Sequence, residues 1–254
     1  RAGGVRVILR GSKPSELILS TKGIVVSSGA TLDMHGMQFL PTWTRLQSQA
    51  AAGATVLKLQ QSVNWKVGQE VLVVTTTFVD ERGDHQNEIR KLVAVDGNSI
   101  TLDRPLGFIH YGGPEYFGEV ALLSRSITIQ GDEQSEDEEF GGHTSCVDGS
   151  LCRLSFIRGH RMGQKNVPGR YPFHFHLMGN VAQRSYMQGL AVEHSYFRAF
   201  VIHGTSNATV SSCVGFDITG SALYLEDGLE EDNLIQFNLI AHVHVIKPHS
   251  EQWK

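Results

Sequence analysis

One nine-residue segment, YPFHFHLMG at positions 171–179, constrains the fold of this chain strongly. Its phenylalanines and histidines alternate, and the side chains of a β-strand project alternately to opposite faces. A strand here directs Phe173 and Phe175 into a core. It displays His174 and His176 together on the other face, about 7 Å apart. Paired imidazoles above a buried aromatic layer make this surface a candidate functional site.

The same alternation recurs downstream in AFVIHG at 199–204, ALYLEDG at 222–228 and AHVHV at 241–245. The spacing between these segments drifts, which favours coils of a right-handed parallel β-helix with turns of variable length. Strands stacked in this way lie about 4.8 Å apart. The alignment predicts one outward column with flanking positions: His176, His203, Glu226 and His244, flanked by His174, Tyr224 and His242.

A second set of segments supports the same architecture. Val192, Val210 and Ile235 are each followed three residues later by a small or polar residue, which we expect at corners between sheets. Repetition of two columns in one order predicts a solenoid. The fold class is therefore all-β, a parallel β-helix with an irregular β-rich N-terminal part.

Composition along the chain suggests three segments. Residues 1–130 read as β-rich, with early β-helix coils, and residues 151–254 as the parallel β-helix repeats. Residues 131–150 read as a loop rich in acidic residues and cysteine. The acidic run within it is predicted to be solvated. The alternative is a weak calcium site, because clustered carboxylates suit hard cations.

Charge and hydropathy exclude some classes of function. The net charge is −4, and the lysines and arginines do not cluster, so we expect no nucleic-acid partner. We expect no membrane contact either, because no run of 18 apolar residues occurs. The chain begins with Arg1 rather than methionine, which suggests a segment of a longer protein.

The cysteines and a sequon bear on the compartment. Cys146 and Cys152 bracket a turn-rich VDGSL sequence that could close a small disulfide, with free thiols as the alternative. Cys213 is expected to be a buried thiol. Asn207 begins an Asn-Ala-Thr glycosylation sequon on a predicted turn. Together these features favour an extracellular location.

Several short motifs, taken in order, resemble a known family. They are TLDMHG at 31–36, TWTRL at 42–46, WKVGQE at 65–70, GGHT at 141–144, GRYPFHFH at 169–176, IHG at 202–204 and LEDG at 225–228. The chain is similar to fibrocystin, fibrocystin-L and the cell-surface and secreted hyaluronan-degrading proteins. The resemblance implies a parallel β-helix in an extracellular region, preceded by a G8-like region. It does not settle activity, because the family includes both hyaluronidases and large ciliary surface proteins.

The resemblance also carries over particular residues and shows one departure. The positions that match the family's motifs are His174, His176, His203, Asp217, Glu226 and Asp227. The family usually has a Gly-His pair before the segment that begins at Ala222, whereas this chain has Gly220 and Ser221. The connection from Met178 to Tyr186 is short, as in the fibrocystin branch.

Three interpretations of the predicted column remain open. The column could be a polar ladder without a ligand. It could hold a divalent metal, calcium or zinc, through His176, His203 and Glu226. It could also act in catalysis through Glu226, with Asp227 or Asp217 and with His174. Glycoside hydrolysis ordinarily needs two carboxyl groups, about 5–5.5 Å apart for retention or about 6.5–9.5 Å for inversion.

The function that we predict is that of an extracellular structural or ligand-binding module in a large cell-surface or ciliary protein. Its expected partners are an extracellular polysaccharide, or neighbouring copies or domains of a larger surface assembly. The alternative is a hydrolase that degrades hyaluronan or a similar glycosaminoglycan. Ser221 argues against the hydrolase. So does the lack of a marked basic cleft, because polyanions are steered by positive charge.

Overall fold

The structure is a computed structural model that describes residues 4–16, 18, 20–78 and 85–246. It divides into two compact units. The first contains residues 1–37 and 125–254, and the second contains residues 38–124. The second unit is thus inserted in the sequence of the first.

The first unit consists of three parallel sheets, here named A, B and C. Sheet A has the order β1 (Val5–Leu9), β10 (Ile127–Gly131), β13 (Ile157–Met162), β16 (Ala191–Ser195), β19 (Val214–Thr219), β22 (Leu239–His244). Sheet B has the order β2 (Gly23–Val26), β11 (His143–Val147), β14 (Phe173–Asn180), β17 (Phe200–Ser206), β20 (Leu223–Leu225). Sheet C has the order β21 (Leu234–Gln236), β18 (Thr209–Ser211), β15 (Tyr186–Gln188), β12 (Leu151–Ser155), β3 (Thr31–His35).

Each coil of this unit contributes one strand to sheets B, C and A in turn, as β14, β15 and β16 do. All strand pairs in the three sheets are parallel, which confirms the predicted parallel β-helix. Phe173 and Phe175 are fully buried in the core between the sheets, as the alternation predicts. His174 and His176 therefore lie on the outer side of sheet B.

The corners between sheets C and A are built from stacked residues with left-handed backbone. Gly189 (φ 63°) and Ser212 (φ 54°) follow β15 and β18, and Phe156 and Phe237 (both φ 53°) follow β12 and β21 in the same conformation. Next to them, the side chain of Asn238 bridges two coils. Its oxygen accepts a hydrogen bond from the backbone N–H of Cys213, and its amide donates to the carbonyl of Val210.

This corner corrects one predicted column. Val210 pairs with Ile235 in sheet C, as expected, but Val192 lies in sheet A and pairs with Gly215. The residue that stacks with Val210 from the preceding coil is Met187. The prediction was wrong for Val192 because an apolar residue followed by a polar one occurs at more than one corner.

The second unit is antiparallel. Its six-stranded sheet has the order β4 (Trp43–Arg45), β9 (Glu119–Leu122), β6 (Glu70–Val73), β7 (Glu88–Asp96), β8 (Ser99–Leu102), β5 (Val56–Lys58). Its own hydrophobic core includes Trp65, whose indole N–H donates to the carbonyl of Pro41. Inside this unit, buried Glu88 accepts hydrogen bonds from Arg90 and from His110.

The acidic run contains the only helix in the described part of the chain, α1 (Gln134–Glu138). Several of its carboxylates are paired with protein groups. Asp132 accepts a hydrogen bond from Lys22 at 2.8 Å, and Glu139 forms an ion pair with Lys165. The run is exposed at Glu133, Gln134, Glu136 and Asp137, as the predicted solvated loop requires, but it forms a helical turn in place of an irregular loop. The described residues include no helix long and apolar enough to span a bilayer.

A disulfide between Cys146 and Cys152 joins β11 to β12 across the corner between sheets B and C. Both cysteines are buried. A bond that closes so short a loop stabilises the fold by about 2 kcal/mol, because it restricts the unfolded chain.

We expect the Cys146→Ala/Cys152→Ala double variant to lose about 2 kcal/mol of unfolding free energy in urea denaturation. Reductant should lower the stability of the parent protein but not of this variant. The control is Cys213→Ala, which removes the buried free thiol and should keep the response to reductant. A parent protein whose unfolding midpoint ignores reductant would contradict the structural role of the bond.

Candidate metal centre

Two rows of side chains cross the outer face of sheet B. The first row follows successive strands in register and contains Ser145, His174, Val201 and Tyr224. In the second row His176 pairs with His203. The ladder continues into the next coil, because the backbone N–H of Glu226 donates to the carbonyl of Ile202. The predicted alignment of His176, His203 and Glu226 is therefore what the structure contains.

A bulge follows the histidine pair, because two residues of β14, Leu177 and Met178, lie opposite Gly204 alone on β17. Leu177 and Gly204 have φ values of 52°, and the pairing of β14 with β17 shifts register immediately after His176. Bulges of this kind bend a strand and redirect side chains, and they occur frequently beside functional sites. Here the bulge interrupts regular pairing directly after the two imidazoles, and pairing resumes at Gly179 and Thr205.

The imidazoles of the second row are in contact. The Nδ1 atoms of His176 and His203 lie 3.0 Å apart, so only one of the two nitrogens can carry a proton. The Nε2 atom of His203 lies 3.1 Å from a carboxylate oxygen of Asp227. Its Nδ1 atom lies 3.7 Å from Oε2 of Glu226. Asp227 thus holds the ring of His203 from the side opposite His176.

His174 is the buried member of the cluster, with 1% of its surface exposed. Its Nδ1 lies 3.1 Å from the carbonyl oxygen of Gly169, which accepts the Nδ1 proton and leaves a lone pair on Nε2. Within the described part of the chain, this buried Nε2 has no hydrogen-bond partner. Burial lowers the pKa of His174 to about 3, and the neighbouring His176 adds to the shift. The pKa of His176 is also lowered, by burial and by His203.

The three histidines converge. One ligand nitrogen from each of His174, His176 and His203 lies within 4.8 Å of the other two. Imidazole nitrogen is the donor that zinc, copper and nickel prefer. The residues predicted to bind metal were His176, His203 and Glu226. The structure adds His174 to the two histidines and places Glu226 beside them.

Tyr171 and Arg198 support the carboxylate of Glu226. The buried Tyr171 hydroxyl donates to Oε1 of Glu226 at 3.3 Å, and the Arg198 guanidinium donates to that hydroxyl at 3.1 Å. Arg198 also lies over the ring of Tyr224, 4.0 Å from its centroid. Nothing in the alternating pattern identifies Arg198, because it lies just before β17. Its role depends on the tertiary fold.

Three residues predicted for this site or its flanks lie elsewhere. His244 belongs to β22 and pairs with Thr219 in sheet A, so its predicted place in the column was wrong. Asp217 is also in sheet A, where it accepts hydrogen bonds from His194 (2.6 Å) and His244 (2.5 Å). His242 is likewise in β22, so it does not flank the column on sheet B.

The electrostatics of Asp217 follow from those contacts. Burial alone would raise the pKa of Asp217, but hydrogen bonds from His194 and His244 hold it at about 2. The hydrogen bond to Asp217 raises the pKa of His194 to about 9. Asp217 is therefore an ionised partner of histidines on sheet A and does not supply a second carboxyl group beside Glu226.

Comparison with known proteins agrees with this architecture. Residues 139–253 match the family model described as CEMIP beta-helix. Protein rliB of Dictyostelium discoideum is 44% identical over 246 residues, which cover 95% of this chain and 22% of that protein. A G8 domain-containing protein of the same organism is 44% identical over 250 residues, covering 95% and 18%. Fibrocystin-L of Homo sapiens is 30% identical over 277 residues, covering 91% and 6%.

The chain belongs to the G8 domain-containing, fibrocystin-L-like family. This confirms the resemblance carried by its short motifs. The chain is a β-helix domain of such proteins, and it spans at most 22% of the length of the three relatives named above.

Two further positions singled out in the sequence can now be located. Ser221, the departure noted with the family resemblance, is half-buried and lies directly before the buried Ala222, which precedes the last strand of sheet B. Asn207 lies in the turn between β17 and β18 with left-handed backbone (φ 59°). Glycosylation of Asn207 remains a prediction.

We expect Tyr171→Phe to lower the unfolding free energy by about 1–2 kcal/mol, because it removes a hydrogen bond to a charged group in a buried setting. The matched control is Tyr116→Phe, whose exposed hydroxyl donates to the carbonyl of Thr76. That change should stay within about 0.5 kcal/mol. Equal urea-unfolding curves for the two variants would mean that Tyr171 does not support Glu226.

Proposed function

We propose that this chain is an extracellular ligand-binding β-helix module that holds a divalent metal of the zinc class through His174, His176 and His203. Glu226 stands beside the metal, supported by Tyr171. The large protein that carries the module would act at the cell or ciliary surface. Calcium fits this donor set less well than zinc, because calcium takes oxygen ligands.

One observation carries the proposal, the buried Nε2 of His174 that has no hydrogen-bond partner among the described residues. A buried polar atom without a partner is costly and calls for an explanation such as a bound ion. Metal-bound histidines characteristically donate their other N–H to a carbonyl or carboxylate. His174 does so toward Gly169, and His203 does so toward Asp227. This contact gives Asp227 an orienting role.

An outside ligand can complete such a site. Three imidazoles leave one position of a tetrahedral zinc open. We propose that this position takes an oxygen of an extracellular polysaccharide, whose hydroxyl and carboxylate groups are suitable donors. The disulfide between Cys146 and Cys152 supports the extracellular setting, since such bonds persist in oxidising compartments.

A second candidate function, hydrolysis of a glycosaminoglycan, is favoured by Glu226. Its Oε2 atom is buried and accepts no hydrogen bond within the described part of the chain, so it could act as a base next to the metal. Against this stands the position of Asp217 on sheet A, away from the strands that carry Glu226. Binding is therefore the function that we prefer.

We expect the chelator-treated protein to bind zinc in isothermal titration, and His176→Ala or His203→Ala to weaken that binding at least about 100-fold. Loss of an outer-shell partner alone costs about 10–100-fold, so loss of a ligand should cost no less. His35→Ala is the control, because His35 bonds Ser155 on sheet C. Unchanged zinc binding by both cluster variants would refute the proposal.

For the second candidate, we expect hyaluronan to be retained by the zinc-loaded protein without being shortened, as judged by gel sizing of the polymer after incubation. The reason is that Asp227 already contacts His203 and Asp217 lies on sheet A, which leaves Glu226 without a second free carboxyl group among the residues predicted for catalysis, whereas ordinary glycoside hydrolysis uses two. Shortening that is lost in Glu226→Gln would establish the hydrolase instead.

A further inference from the structure

A second group of histidines lies on sheet A, away from the site described above. In every coil from β13 to β22 one residue of this sheet has left-handed backbone and is skipped by the pairing register. These residues align from coil to coil: Arg161, His194, Asp217 and His242, with φ values of 51°, 54°, 57° and 56°. Such a conformation is uncommon outside glycine, and its repetition marks a built feature.

Asp217 in this column lies beside three imidazoles, those of His194 and His242 from the column and that of His244 next to it. One carboxylate oxygen of Asp217 accepts a hydrogen bond from Nδ1 of His194 at 2.6 Å. The other accepts a hydrogen bond from Nε2 of His244 at 2.5 Å. The rings of His242 and His244 meet edge to face, with centroids 4.3 Å apart. One ligand atom from each of Asp217, His242 and His244 lies within 4.8 Å of the other two.

A second layer holds this carboxylate in place. His194 reaches Asp217 through Nδ1, and its Nε2 lies 2.8 Å from Oε2 of Glu136 on α1. Glu136, His194 and Asp217 form a chain of alternating carboxylate and imidazole that joins three elements, α1, β16 and β19. Ligating carboxylates in metal sites are themselves hydrogen-bonded in this way.

We infer that Asp217, His242 and His244 form a second site for a divalent transition metal. Two imidazoles and one carboxylate are a recurrent donor set for zinc and other first-row metals. His194 is the positioning residue that orients Asp217. The site shares no residue with the cluster on sheet B, so either site can exist without the other.

Zinc stoichiometry separates the two sites. Chelator-treated protein is loaded with a small excess of zinc, desalted and analysed for zinc per chain. We expect two equivalents in the parent chain and one in His242→Ala/His244→Ala. One equivalent is also expected in His176→Ala/His203→Ala, and none in the variant that combines all four changes. The control is His160→Ala on the same sheet, which should keep two equivalents.

Two further measurements test whether the result for His242→Ala/His244→Ala reflects loss of the site or misfolding. Asp217→Asn keeps both imidazoles and should weaken one of the two zinc equivalents at least about tenfold. Circular dichroism on metal-free samples establishes that each variant keeps the β-sheet content of the parent. If His242→Ala/His244→Ala loses this content, the conservative change His244→Gln takes its place. The His244→Gln variant should hold one zinc equivalent.

Each outcome has a distinct meaning. Two equivalents retained by His242→Ala/His244→Ala overturn the inference. The parent chain could also hold a single zinc equivalent that is lost only in His176→Ala/His203→Ala. That result overturns the inference and supports the proposed function. A single equivalent lost only from His242→Ala/His244→Ala supports the site on sheet A and removes the one on sheet B.

Discussion

The in-register hydrogen bonding of parallel strands from successive coils is the constraint on which the structure depends. It brings His176 onto His203 although 27 residues separate them, and it stacks Phe175 on Ile202 in the same step. A slip by one residue would exchange the two faces and bury the imidazoles in place of the phenylalanines. The hydrophobic core and the histidine cluster are thus consequences of the same alignment, and the energy of burying the core fixes the geometry of the cluster.

The sequence predicts sheet B well because alternation of period 2 states directly which side chains share a face. It could not assign His244, because its HVH alternation looks the same whichever of the three sheets contains it. The corners decide that question, and they depend on left-handed residues such as Ser212 and Phe237, which have no regular signal in sequence. The sheet that contains Asp217 could not be predicted for the same reason. The left-handed conformation of this residue depends on the coils above and below it.

Burial of His174 was also beyond the reach of the pattern. Alternation places this residue on the outer side of sheet B, where a solvent-exposed imidazole would be expected. In the structure Tyr171, Phe197 and Val201 form a small apolar cluster on that side, and the ring of Tyr171 packs edge to face on His174. This apolar cover gives the imidazole of His174 an environment as apolar as the protein interior. The neighbouring His176 and His203 stay half-buried.

The inserted antiparallel unit makes the entropy cost of closing a coil larger for the first coil than for the later coils. Asp33 on β3 pairs with Arg153 on β12 across 120 residues, whereas later coils such as those of His176 and His203 join across 27. Loop-closure entropy grows with the logarithm of that separation, which makes the first coil more expensive to close by about 1 kcal/mol. We therefore expect the later coils to close before the first coil, which would then add to strands that are already paired.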